Sequence, residues 1–380
     1  MSINDDKLEA AVAALEKEPL FHMSLGSKEL FHSNFLAWLA NTFPDQVADV
    51  FRPWVAPVDG ARPRSSELGA TSEREKRHVD LILHLPDLAS IAIENKVFSV
   101  PDEDQLARLS TELALLAQDQ PRARVYSRVL LSLMSPGWLA DQGTPEHKGW
   151  RWMSYRELAN GLHAQVPLIL AADAFAGGLV QHYVELVTLL VKLMDLLGTP
   201  APGEPFLLDQ GTVNRLERSR ISAGVQKSRA SRIAHELQRK VQDNGWSDVD
   251  VAYDFTNGTS LLEGFVQRGT KGRRTGDAIG WQIQGEQFRL AVIAAKHPGR
   301  EKRAEREAYV EQHYTHWFDF AGLAKVVGAA AAVPALPPNG WRFQGYNPSF
   351  VYRYCPAPKL TPSQIVDLGL LYLNRARELL

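Results

Sequence analysis

Two stretches of the chain carry residues with chemical potential: Arg77-His-Val-Asp80-Leu-Ile-Leu and, after a short turn, Ile91-Ala-Ile-Glu94-Asn-Lys96-Val. Their flanks are apolar, so they read as a β-hairpin with strands at 74–85 and 90–98 turning through Pro86-Asp87. Residues i and i+2 of a strand share a face. Glu94 and Lys96 therefore project together, and Ile93, Asn95 and Val97 face the other way. Asp80, midway along the first strand, can set its carboxylate beside Glu94. A surface ion pair is the plain alternative for such a pattern. Strands this apolar, however, look buried on both faces, where unpaired charge is costly. Two carboxylates and a lysine suit a hard divalent cation, Mg²⁺ or Mn²⁺, which takes oxygen ligands from carboxylates and fills its other positions with water and phosphate. Such a cation generates a nucleophilic hydroxide and stabilises charge on phosphoryl oxygens. Lys96 would orient or deprotonate the water, or offset charge at the phosphate.

The elements that must position this pair follow from periodicity. Helices are predicted at 6–17 and 27–42; in the second, Leu30, Phe31, Phe35, Trp38 and Leu39 make one apolar face. Pro44 ends it, a short helix follows at 45–52, and 53–72 reads as loop. Beyond the hairpin, Asp102, Glu103 and Asp104 read as the solvated start of a helix at 102–118, where acidic residues complement the helix dipole. A buried strand at 125–133, a short strand at 150–154, a helix at 155–165 and a long helix at 173–197 complete this part. That order predicts an α/β fold with a mixed sheet packed between helices.

The chain has 380 residues, more than one compact domain usually holds. The Pro- and Gly-rich stretch at 198–206 reads as a linker between a domain at 1–197 and a second, α+β domain at 207–380. In the second domain a basic helix is expected at 213–243, strands at 248–255, 260–267, 278–284 and 288–295, helices at 301–313 and 316–328, a strand at 350–354 and a final helix at 362–378. Residues 1–200 hold 18 Lys and Arg against 26 Asp and Glu, and residues 201–380 hold 24 against 18. The basic half suits a polyanion. Its clusters are Arg229 and Arg232 with other cations on the basic helix, and Arg268, Lys271, Arg273 and Arg274 on a Gly-bearing loop. These are candidate phosphate contacts; solubilising a helix face, or pairing with the acidic first half, is the alternative. The loop lacks the spacing of a nucleotide-binding P-loop. The single cysteine, Cys355, excludes an intramolecular disulfide and a Cys-rich zinc site and fits a reducing compartment. The acidic N-terminus lacks the layout of a signal peptide, and His182, Glu185 and Lys192 interrupt the apolar run at 178–197. A cytoplasmic protein with no membrane span is expected.

One further stretch, Glu29-Leu-Phe-His32-Ser33-Asn-Phe-Leu36-Ala37-Trp38-Leu39, precedes the hairpin, and Gln105-Leu106 follows it. With Asp80-Leu-Ile-Leu and Ile93-Glu-Asn-Lys96, in this order and spacing, the chain resembles the PD-(D/E)XK nuclease superfamily. The closer likeness is to its bacterial branch that opens with an E-x-x-H-S-x-x-L-A-W-L helix. The resemblance covers about residues 25–165 and implies a restriction-endonuclease-like mixed sheet flanked by helices. It implies that Asp80 and Glu94 are metal ligands, with the Ile93 carbonyl a third, and that Lys96 is the catalytic lysine. Glu29 would reach the metal shell or its water. His32 would sit at the rim, contacting phosphate or holding Glu29, and Gln105 would line the site and orient Lys96 or the DNA. Val79 stands where the superfamily name implies Pro, and Leu109 where an aromatic is common; neither removes a charged group. The implied activity is Mg²⁺-dependent cleavage of DNA in restriction, repair or anti-phage defence, by a homodimer or alongside partner proteins of a defence system. An RNA-cleaving enzyme and a non-catalytic nucleic-acid-binding protein are the alternatives.

Overall fold

The computed structural model describes residues 3–25, 28–55, 71–84, 90–99, 103–118, 126–136, 146–200, 203–256, 258–267, 276–294, 303–327, 342–345, 349–357 and 359–380. They fall into two compact units. The first runs to Gly198 and takes in Arg215–Val225; the second comprises Thr199–Asn214 and Gln226–Leu380.

The first unit opens with helices α1 (Ile3–Lys17), α2 (Pro19–Ser24), α3 (Lys28–Thr42) and α4 (Pro44–Phe51). Strands β1 (Thr71–Lys76), β2 (Val79–His84) and β3 (Ser90–Lys96) follow, then α5 (Glu103–Gln118) and β4 (Tyr126–Ser132). Strands β5 (Glu146–His147) and β6 (Trp150–Ser154) lead into α6 (Tyr155–Ala172) and α7 (Ala174–Leu197). The six strands form one mixed sheet in the order β1-β2-β3-β4-β6-β5. Strands β3, β4 and β6 run parallel, and the other pairs are antiparallel. Leu106, Leu109, Leu113 and Leu116 form one stripe of α5 and pack on Ile82, Ala92, Leu130 and Trp150. Burial of that stripe supplies on the order of 1.5–3 kcal/mol per leucine. It also fixes which face of β3 lies under α5: that of Ala92, and therefore of Glu94 and Lys96. Helix α6 starts on a reciprocal capping box between Ser154 and Glu157. Helix α7 is long and apolar enough to cross a bilayer, and half of its apolar window is buried in the protein.

Three local expectations are corrected. The strand read at 74–85 is two strands, because Arg77 and His78 have φ of 50° and 67° and close a two-residue turn between the paired Lys76 and Val79. Such turns demand positive φ at both central positions, usually signalled by Asn-Gly; Arg-His gives no such signal. The basic helix at 213–243 is two helices, α8 (Gln210–Arg218) and α9 (Ser222–Asp243), parted at Arg220 with φ of 55°. The helix begun at Tyr155 continues through Pro167 to Ala172.

The second unit is an antiparallel sheet in the order β11-β10-β9-β8-β7. Its strands are β7 (Val249–Thr256), β8 (Thr259–Gln267), β9 (Ala278–Gln284), β10 (Gln287–Ile293) and β11 (Phe350–Pro356). Gly285, with φ of 53°, makes the β9–β10 turn, between the strands expected at 278–284 and 288–295. Helices α10 (Arg303–Tyr314), α11 (Ala321–Val327) and α12 (Pro362–Leu379) complete it. Trp281, Trp317, Phe288 and Tyr372 lie at the heart of its core, together with Ile233 and Leu237 of α9.

Candidate active site

The site forms where β2 and β3 part. Their ladder ends at Leu81 opposite Ile93, so Asp80 and Glu94 stand one step beyond the last paired residues. On that side the Asn95 N–H is not used by the ladder; it donates instead to Asp80 Oδ2 at 2.8 Å. Glu94 is 1% exposed. Its Oε1 accepts from Lys96 Nζ at 2.8 Å and from Gln105 Nε2, on α5, at 2.7 Å. Its Oε2 is buried with no hydrogen-bond partner. The carboxyls of Asp80 and Glu94 lie within hydrogen-bonding reach of each other. Glu29, in the first turn of α3, completes the group. Its Oε1 accepts from the Ser99 N–H at 3.3 Å and from the Ser99 hydroxyl, and its charge acts on Asp80, Glu94 and Lys96 alike.

The electrostatics are those of crowded carboxylates. Burial, and then repulsion from Asp80, push Glu94 up to about 7 against the pull of Lys96. Burial also raises Asp80, partly offset by the Asn95 N–H and by Lys96. Burial would lower Lys96, but Glu94 foremost, with Glu29 and Asp80, outweighs it and the net direction is upward. Three carboxylates and one ammonium leave an excess of negative charge around the buried Glu94.

Residues 20–184 match the family model of the PD-(D/E)XK nuclease superfamily. This stretch is similar to the nucleases of that superfamily. No match was found among curated proteins or among solved structures. PD-(D/E)XK nucleases generally use divalent metals, and the residues of this site fit one. The donors Asp80, Glu94 and Glu29 are all oxygens, as hard cations prefer. Glu94 Oε2 is a buried acceptor awaiting a partner, and the upward shifts of Asp80 and Glu94 mark charge that a cation would neutralise.

Two of the sequence-derived placements change. Gln105 does line the site, but its amide holds Glu94 rather than Lys96. His32 is not at the rim: it is 1% exposed, with Nδ1 2.9 Å from the Tyr183 hydroxyl. The rings of Phe31, Tyr155 and Tyr183 stand edge-on to it at 5.3–5.5 Å, and burial lowers it to about 3, so it stays neutral. The apolar stripe of α3 turns inward at this position, which carries the histidine into the core.

Sequence reasoning missed four contributors: Asn95, Ser99, Tyr155 and Gly224. Asn95 Nδ2 donates to the Glu29 carbonyl at 3.0 Å and to Ser33 Oγ at 3.2 Å, and the Tyr155 hydroxyl donates to its Oδ1. Gly224, in the first turn of α9, has no room for a Cβ because the ring of Phe98, next to Ser99, occupies that space. Asn95 stands in the Ile93-Glu-Asn-Lys96 stretch that carried the resemblance, but that stretch gave it no role. A second group escaped as well: Glu18, His182 and Glu185 offer ligand atoms within 4.8 Å of one another. There Glu18 Oε1 caps α2 through Leu20 N, and Oε2 lies 3.1 Å from His182 Nδ1.

The basic clusters fare differently. Arg229 is corrected from phosphate contact to internal clamp: it is buried, and Nε and Nη2 donate to the carbonyls of Phe206 and Pro205 at 2.8 Å each. Arg232 is exposed on α9 and donates to the Thr199 hydroxyl. Arg268, Lys271, Arg273 and Arg274 lie outside the described residues.

Proposed function

We propose that the protein is a divalent-metal-dependent nuclease that hydrolyses phosphodiester bonds of DNA, with Asp80, Glu94 and Glu29 as the metal-holding carboxylates and Lys96 as the catalytic lysine. The observation that carries this reading is the convergence of these four charged side chains at the open end of β2 and β3, with one carboxylate oxygen of Glu94 unpartnered. A cation held there, Mg²⁺ or Mn²⁺, supplies Lewis acidity at the phosphoryl oxygen and a more acidic bound water. The chain's own residues do the rest. Lys96, kept protonated by Glu94, places a positive charge where the phosphate would lie, and orients the attacking water. Gln105 holds the Glu94 carboxylate through Oε1, which would leave Oε2 free to take a cation. The Asn95 N–H holds the Asp80 carboxylate in place through Oδ2.

Cutting both strands of a duplex calls for two such sites, which favours a homodimer as the acting form. Restriction or defence against phage is the biological setting this activity fits. The test is purified protein incubated with plasmid DNA, and separately with single-stranded RNA, in Mg²⁺, Mn²⁺ or EDTA. Cleavage of DNA that needs metal and vanishes in folded Glu94→Ala and Lys96→Ala is the expected result. Cleavage of RNA alone would move the substrate assignment, and intact DNA and RNA in every condition would overturn the enzyme.

A further inference from the structure

We propose that Asn95, the residue between Glu94 and Lys96, is a positioning residue whose amide fastens α3 to β3 and so presents Glu29 and Asp80 to one cation. The inference rests on the nuclease reading above and adds to it the group that sets the geometry of the metal site. Alternation along β3 sends Glu94 and Lys96 to the α5 face and the Asn95 side chain to the opposite face, where it meets α3 and Tyr155. Three consecutive residues thus grip both layers at once.

The amide's hydrogen bonds fix its orientation. The main-chain carbonyl of Glu29 can only accept, so Nδ2 must face it, and Oδ1 must therefore take the proton of the Tyr155 hydroxyl. The second Nδ2 proton goes to Ser33 Oγ, which itself donates to the Glu29 carbonyl at 3.2 Å. Every polar atom of the Asn95 side chain is used, and the residue is 1% exposed. In such a dry setting hydrogen bonds are strong, and leaving one unmade is expensive. The carbonyl that Asn95 grips belongs to Glu29 itself, whose carboxylate is tied down at its other end by Ser99. Position at the backbone and direction at the carboxylate are set by separate contacts, and Asn95 supplies the first. Its backbone N–H, meanwhile, holds Asp80. Ala donates nothing, and Asp would turn a carboxylate oxygen against the Glu29 carbonyl.

The deciding experiment is a Mn²⁺ binding isotherm by calorimetry on the full chain, without nucleic acid, alongside the Mg²⁺ dependence of cleavage and a circular-dichroism check of folding. Loss of a residue that orients a ligand typically costs ~10–100-fold in metal affinity. That loss is expected for Asn95→Ala, a larger one for Asn95→Asp, and a few-fold one for Tyr155→Phe. Saturating Mg²⁺ should restore much of the turnover of Asn95→Ala, a split that a merely unfolded variant would not show. If both Asn95 variants fail to fold, Tyr155→Phe and Ser33→Ala, which each delete one partner of the amide, carry the test on the same readout. An unchanged Mn²⁺ isotherm in the folded variants overturns the inference while leaving the nuclease intact. A wild-type protein that binds no Mn²⁺ and cleaves nothing overturns the nuclease reading instead.

Discussion

Glu94 is held at a cost that can be measured. Its carboxyl titrates at about 7 in the fold against an ordinary value of 4.5, and each pH unit of displacement corresponds to about 1.36 kcal/mol between the two protonation states. The displacement is upward, so the folded protein holds this proton more tightly than the unfolded chain. The penalty is therefore absent below pH 4.5, grows between 4.5 and 7, and is complete above 7, at roughly 3 kcal/mol. Glu94→Gln keeps the shape and the acceptor for Lys96 and Gln105 but removes the charge. In EDTA at pH 8 the variant should be more stable than the wild type by that roughly 3 kcal/mol, a rise of roughly 6–12 °C in Tm for a unit of this size. At pH 4.5 the difference should nearly close. Added Mn²⁺ should nearly close the gap at a hundred times Kd and reverse the order at a thousand times Kd, because the cation stabilises only the form that binds it, by about 2.7 and about 4.1 kcal/mol respectively. The assay is thermal unfolding of both proteins across pH with and without Mn²⁺. A Glu94→Gln protein no more stable than wild type at pH 8 in EDTA, or one that Mn²⁺ stabilises equally, would refute the electrostatic account of the site.

Lys96→Met should lower cleavage by ~10²–10⁴-fold, the usual range for a lost acid–base or charge-stabilising group, yet leave Mn²⁺ binding intact or tighter; weakened binding would make Lys96 a scaffold residue. Gly224→Ala should push the Phe98 ring and Ser99 away from their places, lower cleavage several-fold, and regain it when combined with Phe98→Leu; a fully active single variant would sever Phe98 from the site. Arg229→Ala removes two charge-assisted hydrogen bonds, each worth about 1.5–3 kcal/mol, so urea unfolding should show a destabilised second unit. The salt dependence of nucleic-acid binding should not change in that variant, and a slope reduced by about one would restore Arg229 as a phosphate contact.

The parts of this protein legible in the sequence are those set by local pattern. Alternating and continuous apolar runs placed β3, β4 and the strands of the second unit to within a residue or two, because strand burial leaves a period that composition reveals. The charged residues of the site were legible for a related reason. Asp80, Glu94 and Lys96 interrupt buried strands, and an interruption of that kind stands out against an apolar background. Where backbone geometry departed from its usual residue signals, at Arg77-His78 and at Arg220, the sequence was silent and the elements were misdrawn.

By itself, then, the sequence determined which residues carry charge into the sheet and in what order: Glu29 on a helix, Asp80, Glu94 and Lys96 on strands, Gln105 on the helix after. Only the tertiary structure decided what each one touches. A histidine three residues from Glu29 lies in the core against Tyr183, an arginine on a basic helix is spent on the carbonyls of Pro205 and Phe206, and Asn95 ties two layers together. Those outcomes depend on contacts between residues as much as 151 positions apart, such as His32 and Tyr183. Residue type sets what a side chain can bond, but burial and the neighbours brought to it by folding set what it does bond, and neither is written in local spacing.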